Sequence, residues 1–229
     1  MAKRIGIVAC SSEGAALCYQ TICLGAAPLM GEYNHPEVLM HTIPFLRYKE
    51  CVEAWDWAKV AKLMLSSARR LAHAGADFLI CPDNTIHQAF DMVAEKSPLP
   101  WLHIAEVVRS KAQEKGLKRL AVLGTEFLMN GPVYRDILKK SGIETEIPNA
   151  PDQKLINKII LNELVYGVYS SESREYFISV IGGMKALGCD GVVLGCTEIP
   201  KLMHPGESPL PLLDSTRLLA GAAVDEALR

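Results

Sequence analysis

Two short segments hold the residues best suited to moving protons. Pro82-Asp83-Asn84-Thr85-Ile86-His87 offers a carboxylate followed by an amide, a hydroxyl and an imidazole. Gly195-Cys196-Thr197-Glu198-Ile199 offers a thiol, a hydroxyl and a carboxylate. Cys196 precedes what reads as a short helix, and unpaired backbone N–H groups at a helix start favour a thiolate. Glu198 reads as a group that tunes the thiol or holds a substrate amine, or as an ordinary first-turn helix residue. Thr197 reads as a donor to a carboxylate or as a helix cap. Asp83 has two readings: a turn or N-cap aspartate, common in such local sequences, and an acid/base group. With an ordinary pKa of about 4 it would be a weak base toward a C–H bond, and an apolar enclosure would strengthen it. His87 either faces the same cleft or packs within its helix. Cys10, Cys18, Cys23, Cys51, Cys81 and Cys189 read as packing residues.

The elements that must position these residues alternate along the chain. The segments 4–9, 38–43, 78–81, 101–103, 120–124, 144–147, 191–195 and 210–213 read as strands, and several are continuous apolar runs, as strands buried on both faces should be. Amphipathic stretches at 55–74, 84–95, 127–140 and 172–187 read as helices, with 105–115 and 217–228 beside them. Such alternation predicts parallel sheets with crossover helices. The chain is also written twice. Lys3–Val8 matches Lys118–Leu123, Ala74–Cys81 matches Leu187–Leu194, and Leu99–His103 matches Leu210–Asp214, in the same order at offsets of 115, 113 and 111. Two α/β halves related by a pseudo-two-fold axis are expected. Asp83 and Cys196, 113 residues apart, then stand at equivalent strand ends, where parallel sheets bind ligands. Two ionisable groups facing one another suit removal of a proton from one face of a carbon and its return to the other. His103 and Asp214, equivalent by the same repeat, either steer these groups or end their strands.

Composition sets the outer bounds. The chain has 229 residues, 49% hydrophobic and 22% charged, with a formal net charge of -2. That is an ordinary globular balance with enough chain to bury a core. Basic pairs such as Arg69-Arg70 and Lys139-Lys140 are isolated, so no nucleic-acid footprint is expected. No run approaches the roughly 18 apolar residues of a membrane span, and the amino-terminal run is too short for a signal peptide. A cytoplasmic protein with reduced thiols is expected. The seven cysteines and six histidines form no C-x-x-C or H-x-x-x-H pair, and phosphate and dinucleotide signatures are absent. No metal or organic cofactor is expected.

Val192–Pro200, with Asp83-Asn84-Thr85-Ile86-His87, Gly124-Thr125, Glu163–Gly167 and Asp214-Ser215-Thr216, resembles the aspartate/glutamate racemase family over nearly the whole chain. The resemblance implies two Rossmann-like halves and α-proton abstraction between two cysteines without pyridoxal phosphate. It implies that Asn84, Thr85, Thr125 and Thr197 hold the substrate's α-carboxylate and amino group, with Ser12 and Glu198 beside them. Asp83 replaces the first cysteine of that pattern. Tyr166 stands in a segment where aspartate-using members carry a lysine, and Cys10-Ser11-Ser12-Glu13 replaces a glycine-rich loop. Arg47 is either an anchor for a distal carboxylate or a solvated surface arginine.

The expected protein is therefore α/β, with residues 1–103 and 216–229 as one half and 104–215 as the other, and the active site in the cleft between them. The expected activity is racemisation of an amino acid, aspartate or glutamate among the candidates, by Cys196 and Asp83. The partner is a small amino-acid or related carboxylate substrate, and a homodimer is left open. The alternatives are a decarboxylase or isomerase of the same superfamily using Cys196 alone, and a catalytically silent binding protein.

Overall fold

The computed structural model describes residues 2–203 and 205–229. The chain divides into two compact units, Met1–Val107 with Thr216–Arg229, and Val108–Ser215. In chain order the first unit contains β1 (Ile5–Ala9), α1 (Ser12–Met30), β2 (Val38–Thr42), α2 (Phe45–Glu53) and α3 (Trp57–His73). β3 (Phe78–Ile80), a 3-10 turn (Thr85–Ala89), α4 (Phe90–Ala94), β4 (Trp101–Leu102) and the start of α5 (Ile104–Glu114) follow. The second unit runs through β5 (Arg119–Leu123), α6 (Glu126–Met129), α7 (Val133–Lys139), β6 (Glu144–Glu146), α8 (Ala150–Asn162) and α9 (Ser171–Ala186). It continues through β7 (Gly191–Leu194), α10 (Ile199–Leu202) and β8 (Leu212–Asp214), and α11 (Ser215–Ala227) closes the chain.

Each unit is a four-stranded, all-parallel sheet. The strand orders are β2-β1-β3-β4 and β6-β5-β7-β8, the same order in both. β1, β3 and β7 are buried throughout, as continuous apolar runs require when helices cover both faces. The repeated Gly-x-Asp has a physical cause in each unit. Gly75 and Gly188 have φ of +99° and +89°, a conformation other residues resist, and each follows its long helix, α3 or α9. The aspartate two positions later ties the strand to its neighbour. Asp77 accepts the Arg4 N–H at 2.7 Å, while Asp190 accepts the Lys118 and Arg119 N–H groups at 2.7 and 3.0 Å.

Eight strands and the long helices α3, α5, α9 and α11 lie where periodicity predicts them, within two residues at most ends. Two expected helices are interrupted. The 84–95 segment is a 3-10 turn followed by α4, and 127–140 breaks between α6 and α7 at Gly131-Pro132, where proline lacks the donor that would continue α6. Helix α1 escapes the periodicity altogether. No charged residue occurs between Gly14 and Gly31, so its exposed face, with Tyr19, Leu24 and Leu29, is as apolar as its buried one. Helices α2 and α8 likewise lie outside the stretches that the amphipathic pattern marks. No helix of the described residues is long and apolar enough to cross a membrane.

Candidate functional site

The second unit gathers its chemistry just past the end of β7. Gly195 donates its N–H to Leu123 O at 2.7 Å, extending the β5–β7 ladder by one residue. A Cβ there would lie 2.9 Å from Leu123 O and 2.4 Å from Leu128 Cδ2, so only glycine lets the two strand ends approach this closely. The chain then turns through Cys196, Thr197 and Glu198, closed by Ile199 N–H to Cys196 O at 3.2 Å. All three side chains are buried. Glu198 Oε2 accepts from both Cys196 Sγ and Thr197 Oγ1, each at 2.9 Å.

This corrects the expected environment of the thiol. The short helix is present, but α10 has only four residues and begins three positions beyond Cys196. So short a helix carries little dipole. The group that meets the thiol is the Glu198 carboxylate, not the backbone of the helix start. Thr125 lies at the end of β5 and caps α6, accepting the Leu128 N–H at 3.3 Å. Ser215 anchors the start of α11 by donating to Leu194 O at 2.8 Å. The Tyr134 hydroxyl lies beside Ser215 and Asp214, its pKa raised mainly by burial. Sequence reasoning singled out neither Tyr134 nor the anchoring role of Ser215.

In the first unit, Asp83, Asn84 and Thr85 share the turn that leaves β3. Asp83 is half-buried, and its Oδ1 accepts the Ile86 N–H at 3.1 Å, the bond of a capping aspartate. Asn84 is buried and Thr85 half-buried. His87 is buried behind the turn. Its Nδ1 contacts Asp83 O at 2.6 Å and its Nε2 accepts the Ile104 N–H at 3.4 Å, with the ring stacked on Phe90 and edge-on to His103. Burial, reinforced by His103, holds its pKa well below the ordinary value. His103 Nδ1 accepts the Ala105 N–H at 3.1 Å, so this residue caps α5.

Ser11 caps α1 by accepting the Gly14 N–H at 3.2 Å, and Ser12, expected beside the substrate, is exposed as that helix's first residue. Arg47 is exposed on the first turn of α2. Cys10, Cys18, Cys81 and Cys189 are buried, as packing residues should be, whereas Cys23 and Cys51 are only partly so. Burial pushes the Cys81 thiol far up. Tyr166 is 77% exposed on a 3-10 turn that ends at Gly167, φ +75°. Among the described residues no three His, Cys, Asp or Glu side chains converge to hold a metal ion.

A model of the Asp/Glu/hydantoin racemase family matches residues 6–223. A broad-specificity amino-acid racemase of Bacillus subtilis is 23% identical over 197 residues, 86% of this chain and 84% of that protein. Among solved structures, a candidate Asp/Glu racemase from Yersinia pestis aligns with a TM-score of 0.90 at 31% identity, covering 99% of this chain and 100% of that one. An aspartate racemase homologue from Pyrococcus horikoshii aligns at 0.86 and 26%, covering 99% and 100%.

Proposed function

Because the chain belongs to the Asp/Glu/hydantoin racemase family, we propose that it racemises an amino acid, with Cys196 and Asp83 serving opposite faces of the α-carbon. For one enantiomer the Cys196 thiolate takes the α-proton. The C–H electron pair stays on carbon, and a protonated Asp83 delivers a proton to the other face. The opposite enantiomer reverses the two roles. The observation that carries this reading is the buried contact of Cys196 Sγ with Glu198 Oε2 at 2.9 Å. It gives the thiol a carboxylate that can receive its proton before substrate is attacked. Asn84, Thr85, Thr125 and Thr197 supply amide and hydroxyl groups for the α-carboxylate and amine. Aspartate and glutamate head the substrate list. Neutral amino acids belong on it too, because Tyr166 brings no cation to its turn and one relative is named for broad specificity.

Proton NMR in heavy water tests the proposal with a panel of L- and D-amino acids. The α-proton signal of at least one pair should fade as deuterium enters. Cys196→Ala should slow that loss by about 10²–10⁴-fold or more while staying folded. Asp83→Asn should stop racemisation yet keep exchange from the enantiomer served by Cys196. Near-native turnover in folded Cys196→Ala would overturn the mechanism, and normal racemisation by Asp83→Asn would reduce Asp83 to its turn.

One observation favours a second reading. The Asp83 carboxylate already caps its own turn through Ile86 N–H, which suits chemistry needing Cys196 alone, such as protonation of a carbanion left by decarboxylation. Release of carbon dioxide from a panel substrate would identify it.

A further inference from the structure

Tyr48 is 1% exposed, and its hydroxyl makes no hydrogen bond within normal distance among the described residues. It lies on the inward face of α2 with Val52, one helical turn away. The hydroxyl sits beside Ser67 of α3 but outside hydrogen-bond geometry, and the Ser67 hydroxyl pairs instead with His41 Nδ1 at 2.9 Å. The charges that act on it come from Cys81 just past β3, Cys10 just past β1, and Asp83 in the turn after β3. Arg70 of α3 acts on His41. Burial, with the two thiols and the carboxylate nearby, raises the phenol far above its ordinary range, so it remains an O–H donor.

A phenylalanine would fill the same space without stranding a donor. Buried hydroxyls in native proteins nearly always have a partner, and one without a partner calls for an explanation. The groups around this one stand at the carboxyl ends of β1 and β3, the edge where parallel sheets receive ligands. We propose that the Tyr48 hydroxyl is a substrate-binding donor, completed by the carboxylate of an amino acid entering beside Asp83. The inference rests on the racemase reading and adds to it a residue that none of the recognised motifs contains.

The test compares the full-length chain with Tyr48→Phe. Without substrate, the variant's thermal midpoint should equal or exceed that of the parent, because the stranded hydroxyl is gone. With substrate, KM should rise about 10- to 100-fold for both enantiomers, the usual effect of losing a hydrogen bond to a charged group, with kcat changed less. A lower midpoint with unchanged KM, or failure of the variant to fold, would make Tyr48 a packing residue and overturn the proposal. Thermal shifts with L- and D-aspartate and L- and D-glutamate supply a readout independent of turnover. Should the parent racemise nothing, the racemase reading fails, yet Tyr48 is still decided. A shift in the parent that is lost in Tyr48→Phe supports the carboxylate contact. Equal shifts in both, or a shift in neither, overturn it.

Discussion

His87 has its protonation state dictated by its partners. The Ile104 N–H can only donate, so Nε2 must accept, and Nδ1 must carry the hydrogen given to Asp83 O. A protonated ring would set N–H against N–H in a buried site. The consequence for stability has a definite sign. In the unfolded chain His87 takes up a proton below about pH 6.5. In the folded chain its pKa is depressed, chiefly by burial, so the ring stays neutral there. Stability is therefore full above that value and is lost as pH falls toward the folded pKa, by up to about 1.4 kcal/mol per pH unit. Urea unfolding between about pH 7 and about pH 5 should show this slope, and His87→Gln should flatten it by about one proton. An equal slope in both would mean that folded His87 titrates normally. The motif drew attention to His87 but left its partners open. The capping use of Asp83 was legible in Pro82-Asp83-Asn84, because an aspartate before a tight turn bonds locally. For Glu198 the sequence left three readings open, and spacing alone could not choose the one in which its carboxylate accepts from both Thr197 and Cys196.

At the scale of elements, the site depends on how closely β5 and β7 end beside each other. Gly195→Ala would bring a methyl to 2.9 Å from Leu123 O and 2.4 Å from Leu128 Cδ2. The leucine can rotate, but a carbonyl held in the ladder cannot. The substitution should cost about 1–3 kcal/mol and displace the Cys196–Glu198 pair. It should therefore lower both the urea midpoint and the exchange rate, and loss of neither would show that the strand ends yield freely. The central strands β1, β3, β5 and β7 were legible because sheet interiors favour apolar runs, and the Gly-x-Asp repeat marks where β3 and β7 follow their helices. Helix α1 was not, because a helix apolar on all sides leaves no periodic polar face to read.

The whole chain does not fold as two consecutive pieces. The C-terminal helix α11 belongs to the first unit, where Leu219, Ala220, Ala223, Val224 and Ala227 pack with Ile5, Ile7, Ile22, Phe78, Ile80 and Ile104. Lys3 reinforces this by donating its backbone N–H to Ala227 O and pairing its ammonium with Glu226. Leu219→Ala, which empties a fully buried site, should cost about 2–5 kcal/mol. It should also lower amide-exchange protection in β1, at the opposite end of the sequence; unchanged β1 protection would show that the contact contributes little. The sequence by itself determined the α/β class, the duplication, the eight strands and the two motif segments, because periodicity, strand composition and turn chemistry are local and are repeated in both halves. Only the tertiary structure decided which of its open readings Glu198 takes, that His87 is held neutral, and that the Tyr48 hydroxyl is buried without a partner among the described residues. Each of these depends on which groups packing brings within about 3 Å of one another, and chain spacing alone does not encode that distance.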